Sequence, residues 1–284
     1  MALLKRVSRS FYLSVRVLPA PMRRGICIGY LLARASDTLA DAQKNADLLD
    51  AFETQLLGHS PMKIPENPPG SEGEKQLLAN LSQVFNALDT LPEAESTLIR
   101  KVVTTIISGQ RLDMQRFAGA DADHVITLST AAELEDYTWR VAGSVGQFWT
   151  RLGFLTLGSR FSRMDSEKLE ALGIQFGQGL QLVNILRDVH EDLAEGRGYL
   201  PTERAGWMQK ARQNLADGLA YADAMRLKRL HIAVALPARI GIDTLDAIES
   251  AGHAALETRV KIPRRRVWRH LAMASKSSLS HGNG

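Results

Sequence analysis

The amino-acid composition and the spacing of apolar residues predict an all-α protein. Helix formers such as Ala, Leu, Arg, Glu and Gln dominate the 284 residues, whereas Val, Ile and Thr at strand spacing are scarce. Hydrophobic residues make up 45% of the chain and charged residues 23%, a balance typical of globular proteins that bury a core.

Helical periodicity divides the chain into segments separated by turn residues. The pattern predicts a first helix over residues 3–18, which Pro19 and Pro21 end, and a second, unusually apolar helix over 22–57. Four prolines and two glycines mark residues 60–73 as a loop. The further predicted helices cover residues 74–90, 93–117, 130–157, 166–195, 202–228 and 237–260.

Capping and breaking residues support these boundaries. Residues 129–133 and 165–167 contain start signals of the N-cap type, residues 196–198 end a long helix, and Pro201 opens the next one. We expect residues 1–274 to form one domain. The remaining segment is polar and contains glycine, so we expect it to be disordered.

The charge and the cysteine content limit the classes of partner and compartment. The net charge of +4 and the pI near 9.3 favour anionic partners, whether phosphates, phospholipid headgroups or nucleic acid. The single cysteine, Cys27, excludes an internal disulfide and a cysteine-based zinc cluster, and its apolar neighbours predict a buried thiol. The sequence has no secretory signal and no run of about 18 apolar residues, so we expect a cytoplasmic protein.

A first polar ridge carries Tyr30, Arg34, Asp37 and Asp41, at helical steps of four, three and four. An isolated pair of aspartates four residues apart is usually a solvated helix face, since their repulsion is small in water. Here the flanking residues are apolar, and carboxylates that face a core need a partner because unpaired burial is costly.

A second ridge repeats this layout near the other end of the chain. Gln181, Asn184, Asp188 and Asp192 follow one another at steps of three, four and four, in a segment rich in Leu, Ile and Val. Two such ridges in one chain are better explained by a shared charge partner than by two solvated faces.

Magnesium is the cation that these donors favour. Mg²⁺ prefers oxygen ligands and binds through one or two carboxylates together with substrate phosphates. We therefore expect the four aspartates to hold Mg²⁺ and a diphosphate, with Arg34, Arg187 and Arg9 near the phosphate oxygens. The lack of an accompanying histidine pair argues against zinc, and the lack of a glycine-centred acidic loop argues against a calcium hand.

Four segments in order along the chain resemble the squalene/phytoene synthase family. Residues 8–11 (SRSF) resemble its N-terminal Ser-x-Ser-Phe segment, and residues 30–41 (YLLARASDTLAD) resemble its first aspartate-rich motif. Residues 137–146 (YTWRVAGSVG) are similar to its central segment, and residues 181–192 (QLVNILRDVHED), followed by RGYLP, are similar to its second motif. A lone Asp-x-x-x-Asp is weakly specific, whereas four ordered segments are strongly specific.

The resemblance implies an isoprenoid synthase fold, a single helical domain around a central cavity, and head-to-head condensation of two prenyl diphosphates. It implies that Mg²⁺–diphosphate is bound by Asp37, Asp41, Asp188 and Asp192. Tyr30 and Tyr137 would lie near the reacting carbons, and Phe11 beside the prenyl chain. The residues implied in the diphosphate sites are Ser8, Ser10, Arg34, Gln181, Asn184 and Arg187.

The residue types fit this chemistry. Ionisation of an allylic diphosphate needs metal charge at the leaving group, and the resulting cation needs a dry, aromatic-lined cavity. Several glycines give the helices narrow faces, which allow either close helix packing or room for a long prenyl tail. They are Gly143, Gly146, Gly173, Gly177 and Gly179.

Within the family, the resemblance is closest to squalene synthases, which use NADPH and farnesyl diphosphate. The Asp-Thr-Leu sequence in the first motif and the segment around Lys261 favour that branch. Lys261 and Arg264 are the candidate NADPH contacts. Pro263 and Ala40 depart from the family pattern. The open alternatives are dehydrosqualene or phytoene synthesis without a reductant, and presqualene diphosphate synthesis as a single half-reaction.

The C-terminal basic cluster has three interpretations. It is a solvated helix end, a contact for the NADPH phosphate, or an anionic-membrane contact anchored by Trp268, which would make the protein peripheral to the membrane. Nucleic-acid binding is disfavoured because no recognisable module accompanies the basic residues. A helical lipid carrier is the non-enzyme alternative, and the sequence does not predict the oligomeric state. The cluster consists of Lys261, Arg264, Arg265, Arg266 and Arg269.

Overall fold

The computed structural model describes residues 1–43, 46–256 and 258, and along them the chain is predominantly helical, as predicted. The N-terminal helices are α1 (Ala2–Val7), α2 (Arg9–Val17), α3 (Ala20–Gln43), α4 (Ala46–Leu56), α5 (Glu72–Ala79), α6 (Leu81–Asp89) and α7 (Glu93–Arg116). The later helices are α8 (Ala131–Thr138), α9 (Ser144–Leu157), α10 (Ser166–Ala194), α11 (Arg204–Ala224) and α12 (Lys228–Ala251). Shorter elements are a π-helical turn (Trp139–Gly143), 3₁₀ turns (Gly158–Arg160 and Gly252–Leu256) and the strands β1 (Ile126–Thr127) and β2 (Arg197–Gly198).

The chain divides into two compact units. The first unit contains Met1–Met114 and Arg151–Gly158, and the second contains Gln115–Thr150 and the described residues from Ser159 onward. None of the described helices combines the length and the hydropathy that a membrane span requires.

In the first unit, α3 packs against α4, α5 and α6. Its apolar residues fill the core as the sequence predicts: Leu32 and Leu39 have no exposed surface, and Cys27 is a buried free thiol. From α4, the fully buried Phe52 reaches Phe85 with 5.5 Å between ring centroids. This packing fixes α3, the helix that carries the first polar ridge.

The prediction of a single helix over residues 3–18 is wrong, because this segment forms two helices, α1 and α2. Ser8 separates α1 from α2 with an extended backbone, at φ −156° and ψ 106°. Its amide donates back to the Leu4 carbonyl at 2.9 Å, and its carbonyl accepts from the Tyr12 amide at 3.0 Å. Serine favours such helix boundaries because its short polar side chain competes with the helical ladder.

The segment predicted over 22–57 contains α3 and α4, and residues 44 and 45, between them, lie outside the described residues. One other predicted helix is divided. The segment over 74–90 forms α5 and α6, separated at Asn80, whose side-chain amide donates to the Gln76 carbonyl at 2.8 Å. Asparagine can thereby end one helix, since it offers the backbone an alternative partner.

The proline-rich loop and the α7 boundaries are confirmed. The loop ends where Ser71 and Glu74 form a capping box, which starts α5 two residues before the predicted position. The pattern Ser-x-x-Glu is visible in the sequence and signals this start.

In the second unit, α10 packs against α11 and α12, and α11 packs against α12. The glycines on α9 and α10 make close helix contacts. A methyl group on Gly146 would overlap the Gly173 carbonyl oxygen, and one on Gly177 would overlap that of Ala142. These glycines therefore allow close helix packing. Of the two predicted roles, close packing and room for a prenyl tail, the structure supports the first.

The predicted helix over 130–157 is helical throughout but has a π-helical turn at its centre, between α8 and α9. It starts with a capping box of Thr130 and Glu133, as the sequence signal predicts. Such π turns insert one residue into an α-helix and occur often at functional sites.

The last two predicted helices begin or end at different residues. The helix predicted over 202–228 is α11, which ends at Ala224. The helix predicted to start at Pro237 begins at Lys228 and contains Pro237 in its interior. Proline favours a helix start, but here the burial of Val234 and Ala238 on either side of it holds the helix together across the missing hydrogen bond.

One small sheet, absent from the sequence prediction, ties the loop before α8 to the end of α10. β1 and β2 pair in parallel, with Ile126 opposite Arg197 and Thr127 opposite Gly198. Two residues per strand are too few to leave an alternating pattern in the sequence. The pairing fixes the backbone of Arg197, close to the second polar ridge.

Candidate active site

The first ridge lies on one face of α3, as the spacing predicts. Tyr30, Arg34 and Asp37 are partly buried, and Asp41 is exposed. The neighbouring Leu31 and Leu32 are buried in the core of the first unit. The ridge therefore runs along the boundary between the core and solvent, where a carboxylate is only partly hydrated.

Asp37 is a strongly perturbed carboxylate of the ridge. Burial and then the charge of Asp41 raise the pKa of Asp37 to about 6, against the opposing effects of Arg34 and a hydrogen bond from Gln110. The Gln110 amide nitrogen donates to Asp37 Oδ1 at 2.6 Å and to Ser36 Oγ at 3.1 Å. A cation placed against Asp37 and Asp41 would relieve their repulsion.

Arg34 has a protein partner that the sequence did not reveal. Its guanidinium forms an ion pair with Glu74, and its Nε is buried with no hydrogen-bond partner among the described residues. Glu74 also accepts hydrogen bonds from the Ser71 amide at 2.6 Å and from the Ser71 hydroxyl at 2.7 Å. Burial alone would raise the pKa of Glu74, but Ser71 and Arg34 lower it below its ordinary value.

The second ridge lies on α10, and a different arginine pairs with it. Arg187 binds Asp188 side-on, with Nε donating to Oδ1 at 2.8 Å and a terminal amino group donating to Oδ2. This hydrogen bond raises the pKa of Arg187 despite its burial, and the charges of Asp188, Glu191 and Asp192 act in the same direction. Arg197, held by β2, lies 3.9 Å from Asp192 Oδ1.

The two amides of the second ridge lie beside each other on α10. The Asn184 side-chain nitrogen is 3.4 Å from Gln181 Oε1, at the long limit of a hydrogen bond. Asn184 is exposed and Gln181 partly buried. An amide pair held this loosely can exchange partners with an incoming phosphate oxygen at little cost.

Tyr137 belongs to an aromatic group that packs in the core of the second unit. Its ring stacks on that of Tyr199 with 5.2 Å between centroids, and Tyr199 meets Phe117 edge-on at 5.0 Å. Tyr199 and Phe117 are buried in the core of the second unit, while Tyr137 is partly buried. The π-helical turn begins two residues after Tyr137.

The carboxylates of the two ridges meet the requirements of Mg²⁺ as pairs. Among the described residues, no group of three or more His, Cys, Asp or Glu side chains is arranged to hold a metal ion. Each ridge instead offers two carboxylates, which suits Mg²⁺ because this ion retains water and completes its octahedron with phosphate oxygens. The donors therefore fit a metal that arrives with its diphosphate rather than one held by the protein alone.

Not every predicted site residue can be placed. Ser8 is partly buried at the boundary between α1 and α2. The backbone of Arg9, Ser10 and Phe11 forms the first turn of α2, but their side chains lie outside the described part of the structure. The predicted NADPH contacts and the basic cluster around Trp268 also lie outside the described residues.

Sequence reasoning missed the partners of three predicted site residues. They are Glu74 at Arg34, Gln110 at Asp37 and Tyr199 at Tyr137. The sequence Ser71-x-x-Glu74 signals a capping box, but nothing near it in the sequence indicates a contact with Arg34, which is 40 positions away. Gln110 is 73 positions from Asp37. Contacts of this kind depend on tertiary packing.

Comparison with known proteins gives the family. Residues 4–207 match the squalene/phytoene synthase family. Botryococcus squalene synthase of Botryococcus braunii is 31% identical over 228 residues, which are 76% of this chain and 44% of that protein. The 15-cis-phytoene synthase of Synechococcus elongatus is 30% identical over 223 residues, 75% of this chain and 63% of that protein. A bifunctional lycopene cyclase/phytoene synthase of Phaeosphaeria nodorum is 28% identical over 271 residues, 92% of this chain and 44% of that protein.

The solved structures agree on the fold. A structure of TcSQS with a ligand superposes with a TM-score of 0.77 at 23% identity, covering 96% of this chain and 84% of that one. A dehydrosqualene synthase in complex with a ligand has a TM-score of 0.69 at 23% identity, covering 99% and 95%. The fold is the helical isoprenoid synthase fold. The chain spans less than two thirds of the length of each of the three sequence relatives. It belongs to the squalene/phytoene synthase family of prenyltransferase-type enzymes.

Proposed function

We propose that this protein is a Mg²⁺-dependent prenyltransferase that condenses two farnesyl diphosphates head to head into presqualene diphosphate and, with NADPH, converts it to squalene. The observation that carries the proposal is the pair of polar ridges on α3 and α10. Each ridge combines two aspartates four residues apart with arginine and polar neighbours, the donors that a metal-bound diphosphate requires.

The ridges would bind and orient the diphosphate leaving group. In this proposal, Asp37 and Asp41 on α3, and Asp188 and Asp192 on α10, bind Mg²⁺, which when bound supplies the positive charge that makes diphosphate a better leaving group. Arg187 is already oriented side-on by Asp188, so its remaining donors can reach phosphate oxygens without loss of further side-chain freedom. Arg34 would meet the same group by exchanging its contact with Glu74.

The aromatic side chains would serve the carbon chemistry. Loss of diphosphate leaves an allylic cation, which the face of an aromatic ring stabilises electrostatically. Tyr137 is fixed by stacking on Tyr199 and remains partly exposed, so one ring face is held in a defined orientation. Tyr30, on the ridge of α3, is the second candidate. Apolar surroundings would keep water from quenching the cation.

A single incubation tests the reaction. Farnesyl diphosphate and Mg²⁺ are supplied with and without NADPH, and the products are identified by mass. Squalene that forms only with NADPH supports the proposal, and presqualene diphosphate alone would restrict the enzyme to the first half-reaction. If the protein consumes no prenyl diphosphate, the enzyme assignment is wrong and a lipid-carrier role takes its place.

Phytoene synthesis is the second candidate function. It is favoured by relatives named 15-cis-phytoene synthase, one of which is 30% identical to this chain. The same incubation with geranylgeranyl diphosphate in place of farnesyl diphosphate distinguishes the two functions. Phytoene formation without NADPH, at a higher kcat/KM than with the shorter substrate, would assign the protein to that branch. If the protein instead forms dehydrosqualene from farnesyl diphosphate, whether or not NADPH is present, it is a dehydrosqualene synthase.

NADPH and membrane contacts are proposed for the C-terminal basic cluster. Lys261→Gln and Arg264→Gln should raise the KM for NADPH and leave the rate of presqualene diphosphate formation unchanged. Binding to vesicles that contain anionic phospholipid, measured by co-sedimentation with and without these substitutions, tests the peripheral contact. An unchanged KM would exclude both side chains as NADPH ligands.

A further inference from the structure

A groove in the first unit is lined by residues other than those of the polar ridge. It has a volume of about 370 Å³ and is formed by α1, the N-terminal half of α3 and α6. Its walls include Cys27, Ile28 and Leu31 of α3 and Val84 of α6, each less than 10% exposed as a residue. None of the four ridge residues of α3 lines it. A volume near the lower end of the usual range for ligand sites suits one narrow, apolar molecule.

Two arginines also line this groove, Arg23 and Arg24, on successive positions of α3. Arg23 donates one terminal amino group to the Leu18 carbonyl at 2.7 Å, while its Nε is buried and has no hydrogen-bond partner among the described residues. Arg24 donates a hydrogen bond to the Thr90 hydroxyl at 2.6 Å and is attracted electrostatically to Glu95. Each guanidinium therefore keeps N–H donors that no described residue accepts, and Arg23, the more buried of the two, pairs with no carboxylate among the described residues.

These features together describe an amphipathic site. The Arg23 guanidinium is partly buried and gives one terminal amino group to Leu18, so an anion in the groove that accepts from its other terminal N–H groups would compensate for its partial loss of water. The planar fork of arginine matches phosphate oxygens. We propose that the groove binds a single-chain alkyl phosphate, with its hydrocarbon chain along the wall of Ile28, Leu31 and Val84 and its head at Arg23. One chain fits this volume, whereas a bilayer surface does not enter a groove.

The proposal is independent of the catalytic assignment, because the test needs no turnover. Dodecyl phosphate below its micellar concentration is titrated into the whole protein by calorimetry, beside dodecanol and inorganic phosphate. The titrations contain a chelator, so that the Mg²⁺-dependent ridges do not bind the probe. We then expect one site for dodecyl phosphate and at least tenfold weaker binding of the two probes that lack either the head or the chain. Arg23→Gln should weaken dodecyl phosphate about tenfold and leave dodecanol unchanged.

Two further variants locate the site. Ala87 also lines the groove, so Ala87→Leu should fill it and abolish binding, whereas Ala87→Ser should preserve it. Lys101→Gln, which removes an exposed charge elsewhere, should leave the affinity unchanged. Circular dichroism melts verify that each variant is folded. The proposal is overturned if the parent and Arg23→Gln bind dodecyl phosphate with equal affinity. It is also overturned if Ala87→Leu still binds this probe, or if the protein binds only vesicles or micelles.

Discussion

At the scale of single residues, Asp37 combines burial with the nearby charge of Asp41, and this determines how stability depends on pH. Its folded-state pKa of about 6 exceeds the ordinary value of 3.8, so the folded protein binds the proton more tightly than the unfolded chain. The corresponding stabilisation is complete below pH 3.8 and is lost as the pH rises through 6. At pH 7.5 the ionised side chain therefore destabilises the metal-free protein.

We expect Asp37→Asn to raise the melting temperature of the metal-free protein at pH 7.5. A gain of about 1 kcal/mol corresponds to about 2–4 °C for a domain of 150–250 residues. The gain should shrink as the pH falls towards 4, where the parent side chain is itself neutral. Thermal melts at several pH values in the presence of a chelator measure it. An equal gain at every pH would show that packing rather than charge is responsible.

Glu74 is the residue through which the loop before α5 acts on the first ridge. Glu74→Gln should reduce stability, because it weakens both the ion pair to Arg34 and the capping box. It should also tighten Mg²⁺–pyrophosphate binding about fivefold, equivalent to about 1 kcal/mol, since Arg34 no longer has to leave a carboxylate in order to pair with a phosphate oxygen. Calorimetry measures the affinity.

Ser71→Ala is the matched control for Glu74. It removes the capping hydroxyl, at a cost of about 1 kcal/mol, and keeps the carboxylate that binds Arg34. The control should melt lower with an unchanged pyrophosphate affinity. If Glu74→Gln binds no more tightly than the control, Glu74 has only a structural role.

At the scale of elements, periodicity predicted the long helices well and their interruptions poorly. The predicted helix 93–117 is α7 and the predicted helix 166–195 is α10, each within one residue, because both have sustained periodicity and clear end signals. Ser8 interrupts a predicted helix with an extended backbone, and Asn80 interrupts another with a side-chain hydrogen bond to the Gln76 carbonyl that competes with the helical ladder. A pattern averaged over many residues does not register such local competition.

Two glycines of the second unit should respond oppositely to the same substitution. Gly146→Ala places a methyl group on the Gly173 carbonyl and forces α9 and α10 apart, so it should destabilise the protein by about 1–3 kcal/mol. Gly206, in the first turn of α11, has open space at its Cβ position, and Gly206→Ala should stabilise the protein by about 0.5–1 kcal/mol. Urea unfolding measures both. A similar loss in the two variants would contradict the packing role of Gly146.

At the scale of the whole molecule, the sequence predicted the composition of each ridge but not its partners. The positions of Asp37, Asp41, Asp188 and Asp192 on single helix faces follow from the four-residue spacing alone. The pairing of Arg34 with Glu74 does not, because it requires the tertiary packing that brings α5 against α3. Arg187 pairs with the adjacent residue, so the two ridges obtain their cations in different ways despite their similar spacing.

The two ridges can be tested together through ligand-dependent stability. At about 100 times its dissociation constant, a diphosphate analogue that cannot ionise, supplied with Mg²⁺, should stabilise the protein by about 2.7 kcal/mol. The double variant Asp37→Asn/Asp188→Asn should lose most of this gain, since it removes one carboxylate from each ridge. Differential scanning calorimetry, with and without ligand, measures the parent, both single variants and the double variant.

The single variants decide whether the ridges act on one ligand. If both bind the same diphosphate, the losses of Asp37→Asn and Asp188→Asn will not add, because the first already removes the shared ligand and leaves the second little to lose. Independent sites would give additive losses. If the melting temperature of the double variant rises with ligand as much as that of the parent, neither aspartate holds the metal. Because each melting curve is compared with and without ligand, any change in the stability of the metal-free protein cancels out of this test.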